Sequence, residues 1–573
     1  MSELQVSNSQ GGSSPKRSPW SLLRENPFIV GLSAVRSEFL SRFAVQTNII
    51  FATPIHCLLI LRCSGVLTME SFAATFPHIN IDSGFKGWFV SSLLLLAWLG
   101  SLVNGPIADW IGRKGSMLLA VGIFTVGSVF QTAANDVPLL FAARAIAGFS
   151  GGMLTMIVPM YISELSMPEI RGTLVVMQQL SITLGILVSY GLEYGTQYIG
   201  GTRCAPDIPY SGGTTNLPKF DPRYDVGPGG CTGQSDISWR IPFGLQILPA
   251  LVLGIGMVFF LESPRFYLLR RKEDKPLAAL AKIRRVHLDT TSLRNEYLGI
   301  KAEVLFEEAL NREGYPGKTG IPLFIAQHRL AIGCCVAFLQ QFMGYNAIIY
   351  YAPKMFSQLG LSGKTSGLLA TGVYGIMNTL STLPALFLIE RVGRRPLLLC
   401  GAAGTFISLI VVGGIIGGFG ESLRTNKSAG WAGIAFIYIY DINFSYSFAP
   451  IGWVLPSEIF NLGNRSKAMA ITTSATWMSN VVIGLVTPDM LETIGYDTYL
   501  FFAGFCAIAF FFTLFVIPET RGKSLEDMDL VFGDTAAHDE KTRLVEIAAS
   551  MGLTDVLPDE KIDDAATKVE HHA

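Results

Sequence analysis

The densest polar chemistry of this chain lies in one run, Gln340-Gln341-Phe-Met-Gly344-Tyr-Asn346-Ala-Ile-Ile-Tyr350-Tyr351. Amides donate and accept hydrogen bonds, and so do phenols, so this set suits a neutral ligand that carries several hydroxyls. On a continuous helix Gln340, Gly344, Ala347 and Tyr351 would stack along one line, with Gln341 and Asn346 on neighbouring stripes. The alternative is hydrogen bonding between helices as structural glue. Three amides and the Tyr350 and Tyr351 phenols in so short a run favour the ligand site. Gln179, Asn378, Trp453, Trp477 and Asn480 add polar or ring-bearing groups inside other apolar runs. A Trp face against a ligand's CH surface, with amides at its edge, is an arrangement that holds sugars. Trp453 and Trp477 lie within apolar runs and not at their rims, which weakens the alternative of interfacial anchoring.

A second group of residues is written twice. Asp109 and Arg113 recur as Glu390 and Arg394, and Glu164 and Arg171 recur as Glu458 and Arg465, with the same acid-to-arginine spacings, 109→113 and 390→394, then 164→171 and 458→465. Solvated charges at helix ends would not explain a duplicated register; a repeated transporter half would.

The elements that carry these residues follow from composition. Of 573 residues, 50% are hydrophobic and only 15% charged, and the mean hydropathy is +0.42. About 20 apolar residues cross the bilayer as a helix. Eleven such spans are expected, at 86–107, 115–134, 138–161, 173–195, 240–262, 329–351, 366–389, 396–419, 431–456, 468–490 and 498–518. A weaker first span falls somewhere in 27–61. Basic residues of 263–328, with Arg113, Arg171, Arg394 and Arg465, belong on the cytoplasmic side. The expected organisation is therefore a cytoplasmic arm (1–26), a first bundle of six helices (27–262), a cytoplasmic helical loop (263–328), a second bundle of six (329–518) and a cytoplasmic tail (519–573). The segment 196–238 falls outside the cell, where Cys204 and Cys231 could either pair or remain thiols. Asn426-Lys-Ser428 is a glycosylation sequon too near the membrane for ready use. A net charge of −1 argues against nucleic acid as a partner. No zinc-ligand spacing, nucleophile motif or phosphate loop points to an enzyme, a metal or a cofactor. Gly148-Phe-Ser-Gly-Gly152 reads as close helix packing.

The amide run resembles the seventh-helix signature of the sugar porters of the major facilitator superfamily. So do Gly105 to Lys114, Pro159 to Arg171, Glu262-Ser-Pro-Arg265 and Pro518 to Glu526, in order, over roughly residues 65–530. The Cys204–Cys231 loop is similar to that of fungal hexose and pentose transporters. The resemblance implies an all-α membrane protein, twelve helices in two bundles of six, that moves a monosaccharide across the plasma membrane by alternating access, with a proton and with one chain as the working unit. It implies pyranose contacts at Gln179, Gln340, Gln341, Asn346, Asn378 and Trp453, and cavity-lining positions at Trp477 and Asn480. It also implies that the eight duplicated charges latch the inner gate.

Arg144 reads as the remaining intramembrane charge; in proton-coupled relatives it faces an acid of the first helix. The motif that carries that acid is absent. Residues 36–64 bring Arg36, Glu38 and Arg42 where a span belongs, and read as foreign to the fold, for instance as translated intron sequence. The alternative is true divergence, giving an uncoupled facilitator or a sugar sensor with Arg144 paired elsewhere. Sequencing the transcript separates these. Ala449 stands before Pro450 where relatives usually have Gly, so the tenth helix is expected to bend less freely.

Overall fold

The structure is a computed structural model that describes residues 65–165, 171–214, 217–227, 230–270, 274–284, 286–313, 328–360, 364–424, 426–460 and 465–520. The arm at 1–26, the weak first span with the anomalous 36–64, and most of the tail lie outside the described residues.

The described chain is helical apart from one small hairpin. In order the helices are α1 (Glu70–Thr75), α2 (Pro77–Ile81), α3 (Ser83–Ile111), α4 (Arg113–Ala133), α5 (Val137–Leu165), α6 (Arg171–Thr196), α7 (Ile237–Leu245) and α8 (Ile247–Phe259). The segment after them folds as α9 (Pro264–Leu269), α10 (Asp274–Arg284) and α11 (Thr291–Glu313). Then come α12 (His328–Phe342), α13 (Tyr345–Gln358), α14 (Lys364–Arg391), α15 (Arg394–Phe419), α16 (Lys427–Tyr446), α17 (Phe448–Ile459), α18 (Arg465–Thr493) and α19 (Asp497–Phe515). All eleven apolar runs are helices or pairs of helices at these bounds, and nine helical segments among the described residues are long and apolar enough to cross a membrane. On α8 the exposed residues Leu248, Leu251, Val252, Ile255, Val258 and Phe259 recur at helical spacing, a stripe suited to lipid.

Glycine sets the closest approaches. A methyl group at Gly148 or Gly152 of α5 would run into the carbonyl oxygens of Leu93 or Ala97 on α3, and one at Gly100 would meet the Phe149 carbonyl. The first and second halves meet along two seams. Ser91 Oγ on α3 donates to the Val481 carbonyl on α18 at 3.0 Å, and Tyr190 on α6 donates to the Ile349 carbonyl on α13 at 3.0 Å.

Between α6 and α7, strands β1 (Gly212–Thr214) and β2 (Leu217–Lys219) pair antiparallel, with Gly212 opposite Lys219. Cys204 and Cys231 are bonded, which resolves the pairing left open by the sequence. Glu70, buried under this cap, accepts the Cys204 N–H and the Tyr210 hydroxyl, each at 2.6 Å. Burial and the Glu70 carboxylate push the Tyr210 phenol up to about 12, so it stays a donor. Asn426 of the sequon caps α16, its side chain accepting the Ala429 N–H.

Candidate functional site: a neutral cavity between the halves

The seventh span is not one straight helix. Gly344 adopts φ +96°, ending α12 and starting α13, and the Phe502 ring lies 2.7 Å from where a β-carbon would sit. Only glycine fits there, because it meets neither the left-handed steric penalty nor the ring. The break replaces the single stacked line expected for Gln340, Gly344, Ala347 and Tyr351. It folds Asn346 back so that its Nδ2 donates to Gln341 Oε1. The tenth span is also broken, at Ser447 (φ −113°, ψ −90°), between α16 and α17. Pro450 has no N–H to give the carbonyl four residues back, and Gln340 Nε2 crosses over to serve the break, donating to the carbonyls of Phe448 (2.9 Å) and Ala449 (3.4 Å). The bend therefore forms despite Ala449.

Where these two breaks face α5, α6 and α18, they enclose a cavity of about 90 Å³ that is partly open at its mouth. Its wall includes Gln179 and Thr155 from the first half, and Gln340, Gln341, Asn346, Tyr350, Trp453, Trp477 and Asn480 from the second, with Tyr345 and Phe444 added. No described lining residue is charged. Gln179 makes no hydrogen bond to the described protein and its amide is open to the cavity. Tyr350 donates to Asn480 Oδ1 at 3.1 Å, which leaves the Asn480 Nδ2 hydrogens, like Gln340 Oε1 and the Gln341 amide hydrogens, for something else. Trp477 Nε1 is buried with no hydrogen-bond partner among the described residues.

Two of the residues singled out in sequence stand apart from the cavity. Tyr351 donates to the Gly484 carbonyl at 2.7 Å across the α13–α18 seam. Asn378 lies one layer behind, its Nδ2 donating to the Tyr345 hydroxyl at 2.7 Å and its Oδ1 accepting from Ser445 at 3.2 Å. Arg144 is buried in α5, donating to the carbonyls of Phe89 (3.0 Å) and Val90 (3.4 Å), with its guanidinium 4.1 Å from the Phe89 ring centre. It is not the only intramembrane charge-bearing group: Asp441 on α16 is fully buried. An acid within an apolar run was the available signal for it.

A model of the family described as "Sugar (and other) transporter" matches residues 60–532. This chain belongs to the sugar transporter family. A probable quinate permease of Aspergillus flavus is 32% identical over 479 residues, covering 81% of this chain and 83% of its own. An MFS glucose transporter of the same fungus is 29% identical over 486 residues, covering 82% and 85%. Among solved structures, the proton:xylose symporter XylE bound to 6-bromo-6-deoxy-D-glucose is similar, with a TM-score of 0.67 at 25% identity, covering 85% of this chain and 99% of that one. The inward-open XylE from E. coli matches with a TM-score of 0.62. The fold is the major facilitator fold, multi-pass in the membrane, and these relatives are carriers and not enzymes.

Within this sugar transporter, the first copy of the duplicated charge pattern forms a compact cluster. Arg113, buried, pairs with Asp109 at 3.2 Å and Glu164 at 3.1 Å, and Ser263 donates to the other Glu164 oxygen. The side chains of Arg171, Glu390, Glu458 and Arg465 lie outside the described residues. Arg394 donates to the Ile389 carbonyl at 3.1 Å, as Arg113 does to the Ala108 carbonyl at 3.3 Å. Two further acids, Glu262 and Glu519, serve the backbone at these helix starts. Glu262 accepts the backbone N–H groups of Arg113 and Lys114 at 3.0 and 3.1 Å, and Glu519 those of Arg394 and Arg395 at 3.0 and 3.1 Å. Each carboxylate thus caps the first turn of a long helix, where unpaired N–H groups and the helix dipole favour an anion. Gly112 (φ +91°) and Gly393 (φ +106°) make the turns that admit them. Burial pushes the Glu262 carboxyl up, with the Ser263, Lys114 and Arg113 N–H groups acting the other way. The recurrence of an acid at the ends of the sixth and twelfth spans was the signal in the sequence.

Proposed function

We propose that this protein carries a neutral monosaccharide, a hexose or pentose, across the plasma membrane by alternating access, in symport with a proton and with a single chain as the working unit. The observation that carries the sugar reading is a cavity walled by amides and aromatic rings with unused hydrogen-bonding capacity and no charged lining among the described residues. A hydroxyl both donates and accepts, so it satisfies the Gln179, Gln340, Gln341, Asn346 and Asn480 amides together. The Trp453 and Trp477 rings supply apolar faces for the ring CH groups. Asn378 acts from behind by positioning Tyr345.

The similarity to quinate permeases favours a second substrate, an anionic hydroxy acid. A carboxylate carried into this cavity would lack a cation among the described lining residues, and a buried unpaired charge is costly. This places a neutral sugar ahead of quinate. Uptake of labelled glucose or xylose into a host without its own hexose carriers, challenged with a panel of sugars, polyols and quinate, tests it. Competition by quinate alone would reverse the order.

For the cycle, the charges Asp109, Arg113, Glu164, Arg171, Glu390, Arg394, Glu458 and Arg465 act as a latch on the cytoplasmic face. One exposed pair contributes about 0–1 kcal/mol, but a network can bias a two-state equilibrium by a few kcal/mol and still break. Arg144 serves proton coupling by stabilising negative charge nearby when a proton leaves. Proton symport predicts that sugar alkalinises the medium around expressing cells; uptake without any pH change means facilitated diffusion. A sensor of the same fold would lose its output, and a carrier would keep its uptake, when the tail beyond residue 520 is removed.

A further inference from the structure

Proton symport needs a group that can be neutral in one state and charged in another while inside the membrane. Four acids are buried among the described residues: Glu70, Glu193, Asp225 and Asp441. Backbone N–H groups bind the first three: Cys204 to Glu70, Gly65 to Glu193, and Ser211 and Asp221 to Asp225. An N–H can only donate, so each of these contacts engages an acceptor oxygen of the acid. Asp441 differs. It sits in the C-terminal part of α16, fully buried, with no backbone donor and no Lys, Arg or His within ion-pair distance among the described residues.

What surrounds Asp441 is a set of hydroxyls. Ser445 Oγ lies 3.4 Å from Oδ1, the Tyr374 hydroxyl stands beside the carboxyl, and Oδ2 has no well-formed hydrogen bond. Hydroxyls donate to a carboxylate and accept from a carboxylic acid, so the same neighbours serve both protonation states. Around Tyr374 and Tyr440, the phenols that interact with Asp441, the other titratable groups are Tyr345 on α13, Tyr190 on α6 and Cys506 on α19. The adjoining α15 carries Cys400, and Arg394 and Arg395 at its cytoplasmic end.

The hydrogen-bond directions connect Asp441 to the cavity. Ser445 has one hydroxyl hydrogen and two acceptors within reach, Asn378 Oδ1 at 3.2 Å and Asp441 Oδ1 at 3.4 Å, so it serves one of them at a time. When that hydrogen goes to Asn378, the contact with Asp441 takes its hydrogen from the protonated acid; when Asp441 is ionised, Ser445 donates to its Oδ1 instead, at 3.4 Å. Asn378 in turn donates to the hydroxyl of Tyr345, which lines the cavity. Loss of the proton reverses the relay: Ser445 donates to the carboxylate, the Asn378 amide turns over, and Tyr345 donates inward. The state of Asp441 therefore sets which way a cavity-wall phenol presents its hydrogen. Asp441 also lies six residues before the helix break at Ser447, the joint of a span that bends.

We propose that Asp441 is a proton-carrying residue of the transport cycle, taking a proton from the outer medium when the sugar-binding arrangement forms and releasing it to the cytoplasm after the sugar leaves. This rests on the symport reading, and one proton moves with each sugar in the same direction.

The test uses the full chain in proteoliposomes with a pH gradient of one unit, acid outside. Wild type is expected to accumulate sugar up to about tenfold, the limit for one proton per sugar. In Asp441→Asn, accumulation is expected to fall to about onefold while sugar exchange across the membrane persists, and Asp441→Glu is expected to restore part of the accumulation. Full accumulation in Asp441→Asn overturns the proposal and leaves the symport reading standing. Exchange without accumulation in wild type overturns the symport reading itself, and Asp441 with it. If Asp441→Asn gives no folded protein, infrared difference spectra of wild type on adding sugar decide. A carboxylic-acid C=O band that changes with sugar and shifts in deuterated water supports the assignment, and no change in that region overturns it.

Discussion

The two cavity glutamines separate binding from architecture, so replacing each by leucine tests the site most directly. Gln179 contributes no hydrogen bond to the described protein, and leucine has nearly its volume. Gln179→Leu therefore leaves the fold as it is and takes a partner from a bound hydroxyl. An unpaired buried hydroxyl costs about 1–3 kcal/mol, so half-saturation should rise roughly 5- to 150-fold. Gln340→Leu removes an amide that also holds the Phe448 carbonyl at 2.9 Å, in a buried helix break. It should lose affinity by a similar factor and, in addition, about 1–3 kcal/mol of stability through the orphaned carbonyl. The assays are labelled-sugar uptake across a concentration series and thermal unfolding of the purified carrier. The reasoning is refuted if Gln179→Leu keeps wild-type half-saturation, or if Gln179→Leu and Gln340→Leu lower the unfolding midpoint equally.

Gly344→Ala forces a β-carbon into the Phe502 ring at a positive φ, with strain of about 1–3 kcal/mol before any packing loss, and should sharply reduce the folded fraction recovered in detergent. Glu262→Ala and Glu519→Ala each strip a helix cap and should each cost about 0.5–2 kcal/mol, seen as lower unfolding midpoints of similar size in the two halves. A fall in only one half would deny that the caps are equivalent. Cys204→Ser opens a loop closed over a separation of 27 residues, worth about 3–4 kcal/mol on a chain-entropy account, and reductant should mimic it in wild type while leaving the variant unmoved.

The spans were legible because lipid leaves no alternative: a backbone crossing hydrocarbon must satisfy its own hydrogen bonds, so an apolar run of sufficient length is a helix. The duplicated offsets announced two related halves, and the Asp109–Arg113–Glu164 cluster is one place where that register closes into contacts. Cavity polarity was readable too, since amides gathered in a membrane span need partners. Eight of the ten residues picked for the ligand line the cavity wall. Tyr351 and Asn378 were indistinguishable from them by type, and differ only in direction. A helix periodicity drawn through Gly344 turns every later side chain by a wrong amount once that residue takes a left-handed conformation.

Sequence alone thus determined the helical membrane architecture and the amide-rich character of the site, because each follows from composition and spacing against a known solvent. Tertiary structure alone decided which amides are spent on carbonyls at helix breaks and which stay open, which acids meet backbone N–H groups, and that Asp441 meets only hydroxyls. Those outcomes depend on partners brought together from distant parts of the chain, and no local pattern encodes who the partner will be.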